Sequence, residues 1–174
     1  LHDSFSELHT SLTATADGTT ARIIDLETIN AGAGNDVIDL TSSDFLLANL
    51  DMTLNGEDGN DILWAAQGDD TLNGGAGNDR LNGSSGNDTL TGGSGADIFE
   101  FTITSGSDTI TDYSAADGDI LRFFKRLGEA EEWSEASIDA ANNSIAWQSK
   151  EATVTIDFDT NITESNLVIE YAFI

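Results

Sequence analysis

GEDGNDILW (56–64), AAQGDDTLN (65–73), GGAGNDRLN (74–82), GSSGNDTLT (83–91) and GGSGADIFE (92–100) follow one another without a gap. Each of the five units has Gly at its fourth position, Asp at its sixth and a large apolar residue at its eighth. Self-similarity at a fixed period marks a stacked array in which each unit buries its apolar face only against its neighbours. The glycines serve a turn, because they allow φ > 0 and close approach of other backbone. The last three positions of each unit make a short strand, with Leu63, Leu72, Leu81, Leu90 and Phe99 pointing inward and Trp64, Thr71, Asn73, Arg80 and Thr89 pointing out.

The Asp of each turn supplies a hard carboxylate oxygen and the turn carbonyls supply more. Calcium takes about six to eight such oxygens. One turn cannot provide that many, so an ion has to sit between two stacked turns. The candidate ligating positions are Gly56, Asp58, Gly59 and Asp61; Gly68 and Asp70; Gly74, Ala76, Gly77 and Asp79; Gly83, Ser85, Gly86 and Asp88; Gly92, Ser94, Gly95 and Asp97. The pattern is imperfect: Glu57, Ala65, Ala66 and Ser84 replace leading glycines, and Glu57 could add a ligand. A flexible Gly/Asn/Asp-rich linker is the plainer alternative. Five inward side chains are too few to offset the entropy of ordering 45 residues, so metal must supply folding free energy.

A sixth unit, AGAGNDVID (31–39), carries Gly32, Gly34, Asp36 and Ile38 in phase. The repeats resemble those of the RTX family of secreted bacterial toxins, proteases, lipases and adhesins. The resemblance implies an all-β fold: a calcium-bound parallel β-roll, or β-solenoid, with two repeats per coil. Unit i then stacks on unit i+2, which sorts the carboxylates into one column of Asp61, Asp79 and Asp97 and another of Asp70 and Asp88. About five or six calcium ions are expected.

Outside the block, RIIDLETIN (22–30) reads as strand and residues 1–21 as loop or edge strand. His2 and His9 read as exposed terminal residues. The interval from Leu40 to Asn55 reads as one repeat expanded by seven residues, which keeps Asp36 in the column of Asp61. It pushes out a loop near 41–51 with Asp44, Phe45 and Asp51, either a binding surface or a short capping helix, SDFLLANL. After Glu100 the phase slips by two residues, to Gly106, Asp108 and Ile110. DTITDY followed by DGDIL resembles the segment that closes the roll in RTX proteins, which implies a terminal calcium on Asp108, Asp112 and Asp119. In the repeat-free tail, ILRFF, SIAWQ, ATVTIDF and LVIEYAFI read as strands, Asn142-Asn143 as a hairpin turn and EAEEWSEAS (129–137) as a short helix. The expected layout is a single domain, 1–174. It has an N-terminal cap (1–30), a roll (31–123) with an insertion at 40–55, and an irregular β-rich C-terminal cap (124–174) with one short helix.

The formal charge is −26, from 32 acids and 6 bases, which argues against nucleic acid and anionic membranes as partners. There is no Cys, no apolar run near the ~20 residues of a membrane span, and no signal-peptide pattern at the N-terminus. RTX proteins leave by type I secretion, so the resemblance implies a monomeric domain of a larger extracellular or cell-surface chain. Neither H-E-x-x-H nor G-x-S-x-G is present, and no catalytic residue is assigned.

The whole-chain order resembles the ligand-binding domain near the C-terminus of giant bacterial RTX adhesins. That implies calcium-dependent binding of an extracellular peptide or a partner protein's C-terminus, and attachment to cells or biofilm. A folding and secretion module of an extracellular enzyme is the alternative, and a glycan the alternative ligand. Local chemistry offers Trp64, Tyr113, Arg122, Lys125 and Arg126 as ligand contacts, with salt bridges as the plainer reading of the basic cluster.

Overall fold

The computed structural model describes residues 7–8, 11–13, 22–24, 27–41, 50–102, 104–125, 137–139, 144–148, 153–158 and 167–173. These are all-β, with no helix among them. Both expected helices, over 43–50 and 129–137, fall mainly outside the described residues, although Ser137 opens a strand. The Asn142-Asn143 turn lies outside them too.

The N-terminal strands are β1 (Glu7–Leu8), β2 (Ser11–Thr13) and β3 (Arg22–Ile24). The repeats form β4 (Thr28–Ala33), β5 (Val37–Asp39), β6 (Thr53–Asp58), β7 (Ile62–Trp64), β8 (Thr71–Ala76), β9 (Arg80–Asn82), β10 (Thr89–Ser94) and β11 (Ile98–Phe101). After the phase slip come β12 (Ser107–Ile110) and β13 (Ile120–Lys125). The tail adds β14 (Ser137–Asp139), β15 (Ser144–Gln148), β16 (Thr153–Phe158) and β17 (Ile169–Phe173).

Alternate strands go to opposite sheets, as two units per coil require. One sheet runs β1-β4-β6-β8-β10-β12-β16-β15-β14 and the other β17-β13-β11-β9-β7-β5; β2 and β3 pair separately. The ladders between β4 and β12, and between β5 and β13, are parallel. The first sheet's strands continue through the leading positions of the next unit, so they are six residues long, against three in β7 and β9.

The register shows how the irregular units are absorbed. Leu54 pairs with Leu72 and Leu72 with Leu90, one coil of 18 residues apart. Ile29 pairs with Leu54, 25 residues on, so the expanded unit keeps phase despite its extra seven residues. Leu90 pairs with Ile110 across the two-residue slip, and Phe99 with Leu121. Between the sheets Leu54, Leu63, Leu72, Leu81, Leu90, Phe99, Ile110 and Leu121 are all fully buried. At the C-terminal end aromatics take over: Phe101 stacks on Phe123 at 5.3 Å, and Tyr113 lies between Phe99 and Phe158.

The second position of the turn takes a left-handed backbone at the glycines, with φ of 111° at Gly75 and 99° at Gly93, though not at Ala66. Glu57 and Ser84 hold the same place with φ of 73° and 74°, where a Cβ meets the carbonyl oxygen. Glu57→Gly is therefore expected to stabilise the folded form by about 1 kcal/mol. Chemical denaturation in calcium measures it.

Candidate metal centre

The turns bring the sixth-position carboxylates into two rows, one along each side of the roll. In the first row, each Asp main-chain N–H donates to Oδ1 of the next Asp. The distances are Asp36 to Asp61 2.8 Å, Asp61 to Asp79 2.8 Å, Asp79 to Asp97 2.9 Å and Asp97 to Asp119 3.0 Å. The second row runs Met52 to Asp70 2.7 Å, Asp70 to Asp88 2.8 Å and Asp88 to Asp108 3.0 Å. One oxygen of each carboxylate thus orients the side chain and the other is left over.

That second oxygen decides what the rows can do. Oδ2 of Asp36, Asp61, Asp70, Asp79, Asp88 and Asp97 is buried and has no hydrogen-bond partner. A buried carboxylate oxygen without a partner costs several kcal/mol, so a row of them implies a cation. The surroundings fit a hard one. A Cβ added at Gly56 would strike Asp61 Oδ2 and lie 2.5 Å from the Gly74 carbonyl oxygen. At Gly74 it would strike Asp79 Oδ2 and lie 2.6 Å from the Gly92 carbonyl oxygen. Gly56 and Gly74 thus keep a cradle open between a carboxylate and a carbonyl of the next turn, and Gly83 and Gly92 keep the space beside the Asp88 and Asp97 carboxylates. No three His, Cys, Asp or Glu side chains converge on one point among the described residues. A site here takes few carboxylates and completes its shell with main-chain oxygen, the donor set that suits calcium.

The RTX calcium-binding nonapeptide repeat model, four copies of the unit, matches residues 27–44, 53–81 and 73–101. These are RTX repeats. The chain carries them as a calcium-binding β-roll module, and RTX repeats are typical of secreted extracellular proteins. Two solved structures are similar. One is the extracellular lipase LipA from Serratia marcescens, 22% identical with a TM-score of 0.38 over 83% of this chain and 21% of the lipase. The other is the AlgE6R3 subunit of the Azotobacter vinelandii mannuronan C5-epimerase, 24% identical with a TM-score of 0.26 over 72% of this chain and 71% of that one. The chain thus spans about a fifth of the lipase's length, and neither likeness carries a function to it. No curated protein matches it.

The closing Asp residues play distinct parts. Asp108 and Asp119 continue the two rows, and Asp119 Oδ2 also accepts the Ser114 N–H at 2.7 Å. Asp112 caps the turn above it, accepting the N–H of Gly92 at 2.9 Å and of Gly93 at 2.7 Å. Glu57 and Asp58 are exposed.

Of the candidate ligand contacts, Tyr113 lies in the core. Its hydroxyl donates to the Asp119 carbonyl at 3.2 Å and accepts the Val168 N–H at 2.8 Å. Arg122 bonds Glu100 at 3.3 Å and Glu170 at 3.0 Å. Arg80 bonds the same buried Glu100 at 2.6 Å and lies over the half-buried Trp64 ring at 5.7 Å. The Lys125 side chain, Arg126, Asp44, Phe45, His2 and His9 fall outside the described residues.

Three features escaped the sequence reading. Met52, not an acid, holds the sixth position of the expanded unit and ends the second row. The fifth-position side chains form ladders of their own: Asn60 and Asn78 N–H donate to Asn35 and Asn60 Oδ1 at 2.8 Å, and Asp69 N–H to Asp51 Oδ1 at 2.9 Å. The recurring fifth-position Asn was a visible signal for these. The Arg80–Glu100–Arg122–Glu170 chain had no local signal, since it joins four strands.

Burial raises these carboxyls. It pushes Asp70 and Asp97 up to about 6, with neighbouring acids adding to the shift. Asp61, Asp79 and Asp119 rise for the same first reason, as do Asp88 and Asp108, which face each other. The metal-free roll therefore holds protons more tightly than the unfolded chain. Its stability is greatest below the ordinary carboxylate range near pH 4 and is lost as pH rises through about 6 for Asp70 and Asp97 and higher still for Asp88 and Asp108. Calcium needs the ionised form and must expel those protons. Affinity at sites using Asp70 or Asp97 is expected to fall about fourfold between pH 7.5 and 5.5, which calcium titration at the two values measures.

Proposed function

We propose that this domain is a calcium-dependent ligand-binding module of a secreted bacterial RTX adhesin. It holds an extracellular peptide, or the C-terminus of a partner protein, and so mediates attachment to cells or biofilm. Six calcium ions fold it, four along Asp36, Asp61, Asp79 and Asp97 and two along Asp70 and Asp88, one for each buried Asp oxygen left without a partner. They cancel twelve of its 26 net negative charges. The module is non-catalytic and works outside the cell as one part of a longer chain.

The observation that carries the binding role is the added structure that a pure folding module does not need. The expanded unit carries seven residues more than the register of Ile29 on Leu54 needs, and the first sheet is extended by β1 at one end and by β16, β15 and β14 at the other. Arg122 belongs to the ligand surface in this reading, and its exposed partner Glu170 is the group a ligand carboxylate would replace. The second reading is a folding and secretion module of an enzyme, favoured by the RTX repeats alone. A glycan on Trp64 is weaker, because Arg80 already lies over that ring.

Peptide and glycan arrays probed in calcium, and again with chelator, separate these. A calcium-dependent peptide ligand is expected. The absence of any calcium-dependent ligand would leave the folding module as the function.

A further inference from the structure

We propose that the free edge of β5 is a docking strand for an extended peptide with an apolar residue and, two positions on, a lysine or arginine. This rests on the peptide-binding reading and adds a second contact for an extended peptide, at the end of the sheet away from Arg122.

Among the described residues β5 is the last strand of its sheet, while the same end of the other sheet is covered by β1 on β4. Ile62 N–H bonds the Asp36 carbonyl and Leu40 N–H the Trp64 carbonyl, both at 2.9 Å. Main-chain groups of residues 36, 38 and 40 thus face β7, and by the period of two those of Val37 and Asp39 face away. The turn before β5 is open on the same side. A Cβ on Gly59, Gly77 or Gly95 would strike the carbonyl of the preceding turn, whereas one on Gly34 meets only Asp36 Oδ2 at 4.0 Å. Val37 is 53% exposed, more than any other large apolar side chain among the described residues.

An uncovered edge pairs with any strand that reaches it, so its side chains select the occupant. A strand laid along β5 sets one residue beside Val37 and the next residue on that face beside Asp39, which is exposed and whose Oδ1 accepts the Thr41 N–H and hydroxyl. Apolar and opposite-charge cross-strand pairs are the favourable ones there. The net charge of −26 favours a basic partner and opposes a second copy, whose β5 would bring its own Asp36 and Asp39 against these.

The test uses two short peptides, acetylated and amidated so that neither offers a terminal charge: one with Val-Thr-Lys at its centre, the other with Val-Thr-Glu. Binding to the calcium-loaded domain is measured by calorimetry. The lysine peptide is expected to bind about five- to tenfold tighter, and Asp39→Lys to reverse the order. Asp39→Pro removes an outward N–H but none that β7 uses, so it should abolish binding of both while the circular dichroism in calcium stays unchanged. Equal binding of the two peptides, or binding that survives Asp39→Pro, overturns the proposal. If array-selected peptides still bind the Asp39→Pro variant, the edge is wrong and the peptide reading stands. If no peptide of any kind binds, both fall. Self-association in calcium that Asp39→Pro abolishes would make a second copy the occupant and overturn the proposal as well.

Discussion

Chelating calcium at neutral pH is expected to unfold the roll. Six Asp carboxylate oxygens in the two rows are buried without a hydrogen-bond partner, and five of the six Asp residues are at most 1% exposed. Leaving a buried charge uncompensated costs about 3–5 kcal/mol each time. A few such costs exceed the roughly 5–15 kcal/mol by which folded domains are stable. Relief by protonation is small at neutral pH for carboxyls raised to about 6, such as Asp70 and Asp97. Loss of the β-sheet circular dichroism signal on adding chelator, and its return with excess calcium, is the readout. At pH 4 the same chelation should do much less, because protons then neutralise the row. That contrast separates loss of charge compensation from general fragility.

Gly77→Ala is expected to be among the most damaging single methyls in the repeats. Gly77 has φ of 134°, and an added Cβ would run into the carbonyl of Gly59 in the turn beneath. Neither atom can move alone, because the Gly59 and Gly77 N–H groups are bonded to the Ala76 and Ser94 carbonyls at 2.7 and 2.8 Å. Backbone strain of about 1–3 kcal/mol adds to the collision, for a total above about 4 kcal/mol. Gly34→Ala is the control. Its φ of 129° brings similar strain, but open space replaces the stacked carbonyl. The difference between the two variants in calcium-saturated denaturation isolates the cost of breaking the stack. Equal losses would mean that strain alone requires glycine at the fourth position.

The contrast between Gly34 and Gly77 also shows what could be read from sequence. The nine-residue phase placed Leu63, Leu81 and Phe99 in the core and Asp61, Asp79 and Asp97 in one row, because a solenoid converts sequence period directly into spatial register. Even the displaced units were legible: Asp36 and Asp108 join rows 25 and 20 residues from their partners, as counting along the chain requires. Position alone did not reveal what each oxygen does. Asp112 looks like another ligand in sequence, yet it caps the N–H groups of Gly92 and Gly93. Tyr113 reads as a candidate ligand contact, but it lies in the core between Phe99 and Phe158. Arg122 reads as one of a basic cluster, but its partners Glu100 and Glu170 lie 22 and 48 residues away on neighbouring strands. Those placements depend on which strands become neighbours after the repeats end, where no period remains to count by.

The central claim is that each partnerless Asp oxygen in the two rows holds a calcium ion. Native mass spectrometry of the domain, loaded with calcium and then desalted, counts them directly. The account predicts six bound ions, falling to five in Asp79→Asn, which keeps the Asp61 N–H bond but lacks the second carboxylate oxygen. A folded protein that carries no calcium, or whose count is unchanged by Asp79→Asn, would contradict it.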